Sequence, residues 1–62
     1  MKKSDVIAYY LEKKCHGDKS KVILAIAKEL NCTYQNVWQM PEIVPKGTAY
    51  ELHIKTNREL EL

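Results

Sequence analysis

Hydrophobic residues recur at three- and four-residue intervals along the first half of the chain, which is the spacing of one face of an α-helix. The first stripe predicts a helix with Ser4 as its N-cap. This stripe consists of Val6, Ile7, Tyr10 and Leu11. The second stripe predicts a helix that ends at about Leu30. This stripe consists of Val22, Ile23, Ile26, Ala27 and Leu30.

The stretch 15–20 between the two stripes interrupts the helical spacing. Gly17 can take the left-handed conformation that ends a helix, and Asp18 or Ser20 can cap the helix that follows. We therefore expect the first helix to end before this stretch and the second to begin after it.

A short third helix is predicted over residues 34–40. Asn31 tolerates the left-handed backbone of a sharp turn, and Thr33 can cap the helix after it. Pro41 cannot continue a helix, and only Val37 and Met40 form a buried pair within it. With Ala27 small enough to let two helices cross closely, residues 22–40 have the spacing of a helix-turn-helix.

Two further helix starts are predicted in the last third of the chain. Thr48 and Glu51 have the spacing of a capping box, and Thr56 and Glu59 repeat it before Leu60. Residues 50–56 also permit a hairpin as a minor alternative. We therefore expect an all-α fold of about five short helices, with a helix-turn-helix, in a single domain over residues 1–62.

Composition narrows the classes of function. The chain has 62 residues, of which 45% are hydrophobic and 29% charged, so it is long enough for one small folded domain. No apolar run approaches the length of a membrane span, and no signal-type segment follows Met1, so we expect a soluble, cytoplasmic protein. The net charge is +2, and its basic excess lies within residues 1–30.

Chemistry-bearing residues are few. Cys15 and Cys32 are expected to be reduced, and with His16 and His53 they lack the tight pairing of a metal site. The chain has no Gly-rich phosphate loop and no nucleophile beside a base, and the two histidines are far apart. We expect neither an enzyme nor a cofactor, metal ion or small-molecule substrate.

Several segments resemble the helical Cro repressors of lambdoid phages and their prophage relatives. The similarity lies in an Ala-x-x-Leu turn, a Val-x-Gln helix end, an Ile-x-Pro loop and an Ala-Tyr-x-Leu-x-Ile-x-Thr segment, in that order. These segments are Ile26-Ala27-Lys28-Glu29-Leu30-Asn31, Val37-Trp38-Gln39-Met40-Pro41-Glu42-Ile43-Val44-Pro45 and Ala49-Tyr50-Glu51-Leu52-His53-Ile54-Lys55-Thr56. The resemblance implies a lambda-repressor-like helix-turn-helix. It also implies a repressor that binds operator half-sites through the major groove in a bacterial host cell, in association with the nucleoid.

The outward positions of the third helix are the candidate readers of base edges. By spacing from Asn31, these positions are Tyr34, Gln35, Trp38 and Gln39. A glutamine can bond an adenine edge in two places, so the two glutamines rank first. Trp38 fits the core or a dimer contact better than the groove.

Candidate contacts to the DNA backbone lie on both sides of that helix. They are Lys19, Ser20, Lys21, Thr33, Asn36, Lys46 and Thr48. The first three stand where a helix start attracts a phosphate. The resemblance also implies a dimer on double-stranded DNA, which we expect to be weak or DNA-dependent. The alternative is a protein-interaction module, such as an antitoxin or anti-repressor, that uses the same helices.

Overall fold

The computed structural model describes all 62 residues and contains four α-helices. They are α1 (Lys3–Lys13), α2 (Lys19–Leu30), α3 (Tyr34–Trp38) and α4 (Lys46–Lys55). The only strand-like pairing is an isolated antiparallel bridge between Lys2 and Ile43. The all-α prediction is confirmed, and α2 is the central helix because it packs against each of the other three. None of the helices is long and apolar enough to cross a bilayer.

One hydrophobic core joins the four helices. Its least exposed side chains are Val6, Tyr10, Ile26, Val37 and Leu52, so every helix contributes at least one. Both predicted stripes face this core, with Ile7, Leu11 and Leu30 half-buried at its edge. The helical spacing of the sequence therefore identified the buried faces of α1 and α2 correctly.

The caps of the first two helices differ from each other. Ser4 was predicted to cap α1, but the helix begins at Lys3 with an extended Lys2 as its N-cap, two residues before Ser4. The Ser4 hydroxyl donates to Glu42 instead. That prediction was wrong because a partner distant in sequence takes the hydroxyl. Asp18 caps α2 as predicted, and Gly17 before it has a φ of 86°. The helix α1 is thus followed by a tight left-handed loop.

The turn between α2 and α3 follows the prediction closely. Asn31 has φ 55° and ψ 46°, and the Thr33 hydroxyl accepts a hydrogen bond from the Asn36 backbone N–H at 3.2 Å. The helix after the turn is shorter than predicted, since it ends at Trp38 and Gln39 is its C-cap. Met40 forms only a turn to Val37 and packs half-buried against the core.

The start of α4 does not use the predicted capping box. The helix begins at Lys46 with Pro45 as its N-cap and no side-chain capping bond. Thr48 is therefore already inside the first turn. The alternative hairpin at residues 50–56 is also wrong, because these residues form α4 and its C-cap.

The predicted fifth helix does not form. Asn57 and Arg58 both have positive φ angles, 56° and 66°, which a helical start excludes. Thr56 was expected to cap that helix but instead ends α4, since its hydroxyl donates to the Leu52 carbonyl and accepts from the Leu60 N–H. The core takes Leu60 from an irregular segment rather than from a helix.

Candidate nucleic-acid interface

The helix α3 is attached to the core through one side chain and exposes the rest. Val37 is 1% exposed and packs against α2, as expected for the single buried position of so short a helix. With about 100° between successive residues, Gln35 and Gln39 point almost directly away from Val37, one turn apart. Both are exposed. The two glutamines that were predicted to read base edges therefore lie side by side, on the side of α3 that faces away from the core.

Trp38 lies on the surface, beside the glutamines. The sequence favoured a core or a dimer contact for Trp38. Its side chain is 62% exposed, so the core position is excluded and the dimer contact stays a prediction. The physical reason is the register of α3, which turns Trp38 about 100° away from Val37 and leaves the core to the smaller residue. Its ring borders an open groove between α1 and α2 of about 230 Å³, lined also by Ile7, Leu11 and Lys19.

Lys3 contributes a cation to this surface that the sequence did not indicate. Its ammonium nitrogen lies 5.8 Å from the Trp38 ring centroid and donates to the Trp38 carbonyl oxygen at 2.8 Å. The bridge between Lys2 and Ile43 holds the start of α1 at this place, with the Lys3 N–H donating to the Glu42 carbonyl. No signal in the sequence joins residues so far apart in the chain.

The opposite side of α3 borders an open groove against α4. Asn36 and Gln39 line it from α3, and Thr48 and Glu51 line it from α4, with a volume of about 380 Å³. The predicted backbone contacts Asn36 and Thr48 are thus brought together. Lys46 is not part of this group, because it lines a separate groove on the far side of α4.

The start of α2 is less free to bind a phosphate than the sequence suggested. The Ser20 backbone N–H and hydroxyl both donate to the Asp18 carboxylate, at 3.1 and 2.6 Å. These two bonds, with Lys21 3.7 Å away, lower the pKa of Asp18. Ser20 and Lys21 therefore already have an anionic partner, whereas Lys19 points to the groove beside Trp38.

Thr33 and Tyr34 complete the exposed surface of α3. The Thr33 hydroxyl accepts the capping bond from Asn36, which leaves its own hydrogen available to donate outward. Tyr34 is exposed on the first turn, with its hydroxyl able to donate or accept. We call the exposed side chains Tyr34, Gln35, Trp38 and Gln39, with Lys3 and Lys19 beside them, the α3 face. It offers amides, aromatic rings and cations together.

No three His, Cys, Asp or Glu side chains are close enough to hold a metal ion, and Cys15 and Cys32 are both free thiols. No protein-family model, curated protein or solved structure matches this chain.

Proposed function

We propose that this protein is a sequence-specific DNA-binding repressor of Cro-like type that inserts α3 into the major groove. In this proposal α2, the turn at Asn31 and α3 act as a helix-turn-helix. The observation that carries it is the α3 face, a short exposed helix whose two outermost side chains are glutamines. The resemblance of residues 26–56 to Cro repressors supports the same conclusion.

Base reading falls to Gln35 and Gln39 in this proposal. Each amide presents a donor and an acceptor, which match the N7 and N6 groups of adenine in the major groove. A good bidentate pair gives about 1–3 kcal/mol of discrimination against a wrong base. Tyr34 and Trp38 are placed to contact thymine methyl groups or the sugar-phosphate backbone beside them.

Backbone contacts come from both flanks of α3. Lys3 and Lys19 lie on the Trp38 side, and Thr33 and Thr48 have hydroxyl groups near the helix start and the opposite groove. The two lysines neutralise about two phosphates per subunit, so log K should fall against log salt with a slope of about −2 per subunit.

Selection of duplexes from a random DNA library tests the proposal. We expect a palindromic motif, with its information reduced at one position by Gln39→Ala and at a neighbouring position by Gln35→Ala. In binding titrations at several salt concentrations, Lys19→Ala should reduce the slope of log K against log salt by about one, while the selected motif stays the same. Lys13→Ala, which removes an exposed lysine from the end of α1, is the matched control and should leave the slope unchanged. Failure to enrich any motif at low salt refutes the proposal.

A protein-interaction module is the second candidate, and the exposure of two aromatic residues on one helix favours it. Exposed aromatic side chains are the usual anchors of protein interfaces. This candidate predicts that Tyr34→Ala and Trp38→Ala abolish partner binding, whereas the double substitution of Lys19 and Lys21 by Glu does not. In the DNA-binding proposal that double charge reversal weakens binding strongly.

A further inference from the structure

The two ends of α3 are held in different ways. Val37 is the one buried side chain of the helix, and its first turn is held by the Thr33 hydroxyl, which accepts from the Asn36 N–H. The Trp38 carbonyl at the other end accepts from no backbone N–H. Pro41, three residues further on, has no N–H with which to close another turn onto it. The last turn of α3 therefore depends on a donor from elsewhere in the chain.

Lys3 supplies that donor. Its ammonium nitrogen lies 2.8 Å from the Trp38 carbonyl oxygen and 5.8 Å from the centroid of the Trp38 ring. One cation thus contacts both the backbone and the side chain of the same residue. A lysine that bonds a carbonyl at the end of a helix also complements the negative end of the helix dipole. All of these contacts are made by the ammonium group of one half-buried side chain.

The start of α1 is anchored beside the end of α3. The Lys3 N–H donates to the Glu42 carbonyl at 2.7 Å, and the Ser4 hydroxyl donates to the Glu42 carboxylate at 2.8 Å. Lys2 pairs with Ile43 in the antiparallel bridge. These contacts join the start of α1 to the segment that directly follows α3. The backbone that carries the Lys3 side chain is therefore fixed relative to the helix end that its ammonium group bonds.

The carbonyl that Lys3 bonds belongs to the same peptide group as the Gln39 N–H. Because a peptide group is planar, a bond that fixes the Trp38 carbonyl also fixes the backbone of Gln39. Gln35 lies in the first turn, beside the Thr33 cap, and does not depend on this bond. We propose that Lys3 is a positioning residue, which orders the end of α3 and thereby sets the base preference of Gln39 but not that of Gln35. The base preference rests on the proposed function, whereas the ordering of α3 does not.

The positioning role of Lys3 is distinct from a contact to a phosphate. A lysine ammonium group has three donors, and the Trp38 carbonyl takes one of them, so the others can still bond a phosphate. A lysine that contacts only a phosphate strengthens binding to all sequences alike. A lysine that also orders the backbone of Gln39 changes which sequence is preferred. Loss of Lys3 should therefore alter the selected motif, which loss of a phosphate contact does not.

NMR relaxation of the backbone amides, measured on the full chain without DNA, tests the ordering of α3. Lys3→Met keeps most of the side-chain length and removes the ammonium group. We expect the order parameter of the Gln39 N–H to fall from about 0.85 to about 0.6, while that of the Asn36 N–H stays unchanged. Lys19→Met is the matched control, because it removes the same charge from the groove beside Trp38 and makes no bond to α3. It should leave both order parameters unchanged.

Selection from the random DNA library tests the effect on base preference. The variants Gln39→Ala and Gln35→Ala identify the position that each glutamine reads. Lys3→Met should lower the preference at the Gln39 position by about fivefold and leave the Gln35 position unchanged. Lys19→Met should weaken binding without altering the preference at either position. Circular dichroism should show the same helix content in Lys3→Met, Lys19→Met and the native chain.

An unchanged order parameter at Gln39 in Lys3→Met overturns the inference, and so does a loss of order that extends equally to Asn36. Equal effects of Lys3→Met and Lys19→Met on Gln39 overturn it as well. The two proposals can fail separately. If Gln39 loses order in Lys3→Met but no motif is enriched by the native chain, only the proposed function is refuted. If a motif is enriched and Lys3→Met weakens binding to all sequences alike, only this inference is refuted.

Discussion

Thr56 is the buried polar residue whose hydroxyl holds the end of the chain in place. Its side chain is 2% exposed; the hydroxyl donates to the Leu52 carbonyl at 2.8 Å and accepts from the Leu60 N–H at 3.2 Å. The hydroxyl also donates to the His53 carbonyl at 3.3 Å. Thr56→Val keeps the shape of the side chain and removes all three contacts. The Leu52 carbonyl keeps its bond from the Thr56 backbone N–H, and the His53 carbonyl keeps its bond from the Arg58 N–H. Only the Leu60 N–H therefore loses its partner.

The cost of this change follows from that single orphaned group. A buried N–H without a partner costs about 1–3 kcal/mol, and the added methyl group returns up to about 0.8 kcal/mol. We expect Thr56→Val to lower the free energy of unfolding by about 1–2 kcal/mol. A domain of this size has only about 3–9 kcal/mol in total. The melting temperature should therefore fall by about 5–15 °C.

Thermal and urea unfolding followed by circular dichroism measure the effect. Thr48→Val is the matched control, since Thr48 is on the same helix, is half-buried and makes no side-chain hydrogen bond. It should change the free energy of unfolding by less than about 0.5 kcal/mol. Thr56→Ser should recover most of the loss, and exchange of the Leu60 amide should be faster only in Thr56→Val. Equal effects of the two valine substitutions would refute the reasoning.

Three further predictions concern other elements. Gly47→Ala should raise the free energy of unfolding by about 0.4–1 kcal/mol in urea titrations of dilute protein, because it restricts the unfolded chain and its Cβ meets nothing; a loss would contradict an open site. The bonds from Ser20 lower the pKa of Asp18, so its stabilisation is present above its ordinary pKa and disappears as the pH falls through the lowered value. The melting temperature should therefore drop more between about pH 5 and pH 2 in the native chain than in Asp18→Asn, and parallel curves would count against the cap. Burial raises the pKa of Tyr10, the charge of Glu29 adds to this, and the Tyr10 hydroxyl has no hydrogen-bond partner. Tyr10→Phe should therefore leave the free energy of unfolding unchanged or raise it by up to about 1 kcal/mol in chemical denaturation. A decrease of more than about 1 kcal/mol would reveal a hydrogen bond that the structure lacks.

Local structure was largely determined by the sequence. The buried stripes of α1 and α2, the left-handed residues Gly17 and Asn31 and the caps at Asp18 and Thr33 all depend on residues within one or two helical turns. Such interactions are encoded by spacing and residue type alone. The same spacing identified Gln35 and Gln39 as outward-facing, because the single apolar position Val37 fixes the rotation of α3.

Tertiary structure decided the features that join distant residues. Trp38 is exposed because Val37 is the one side chain of α3 that is buried in the core. Lys3 contacts Trp38 because the bridge between Lys2 and Ile43 holds the start of the chain beside it. Threonine is a common N-cap residue, so the sequence favoured Thr56 as the start of a helix. In the structure Leu60 is buried in the core and its N–H donates to the Thr56 hydroxyl, which therefore caps the end of α4. A capping side chain can satisfy either end of a helix, and the burial of its neighbours, which spacing does not show, selects which end.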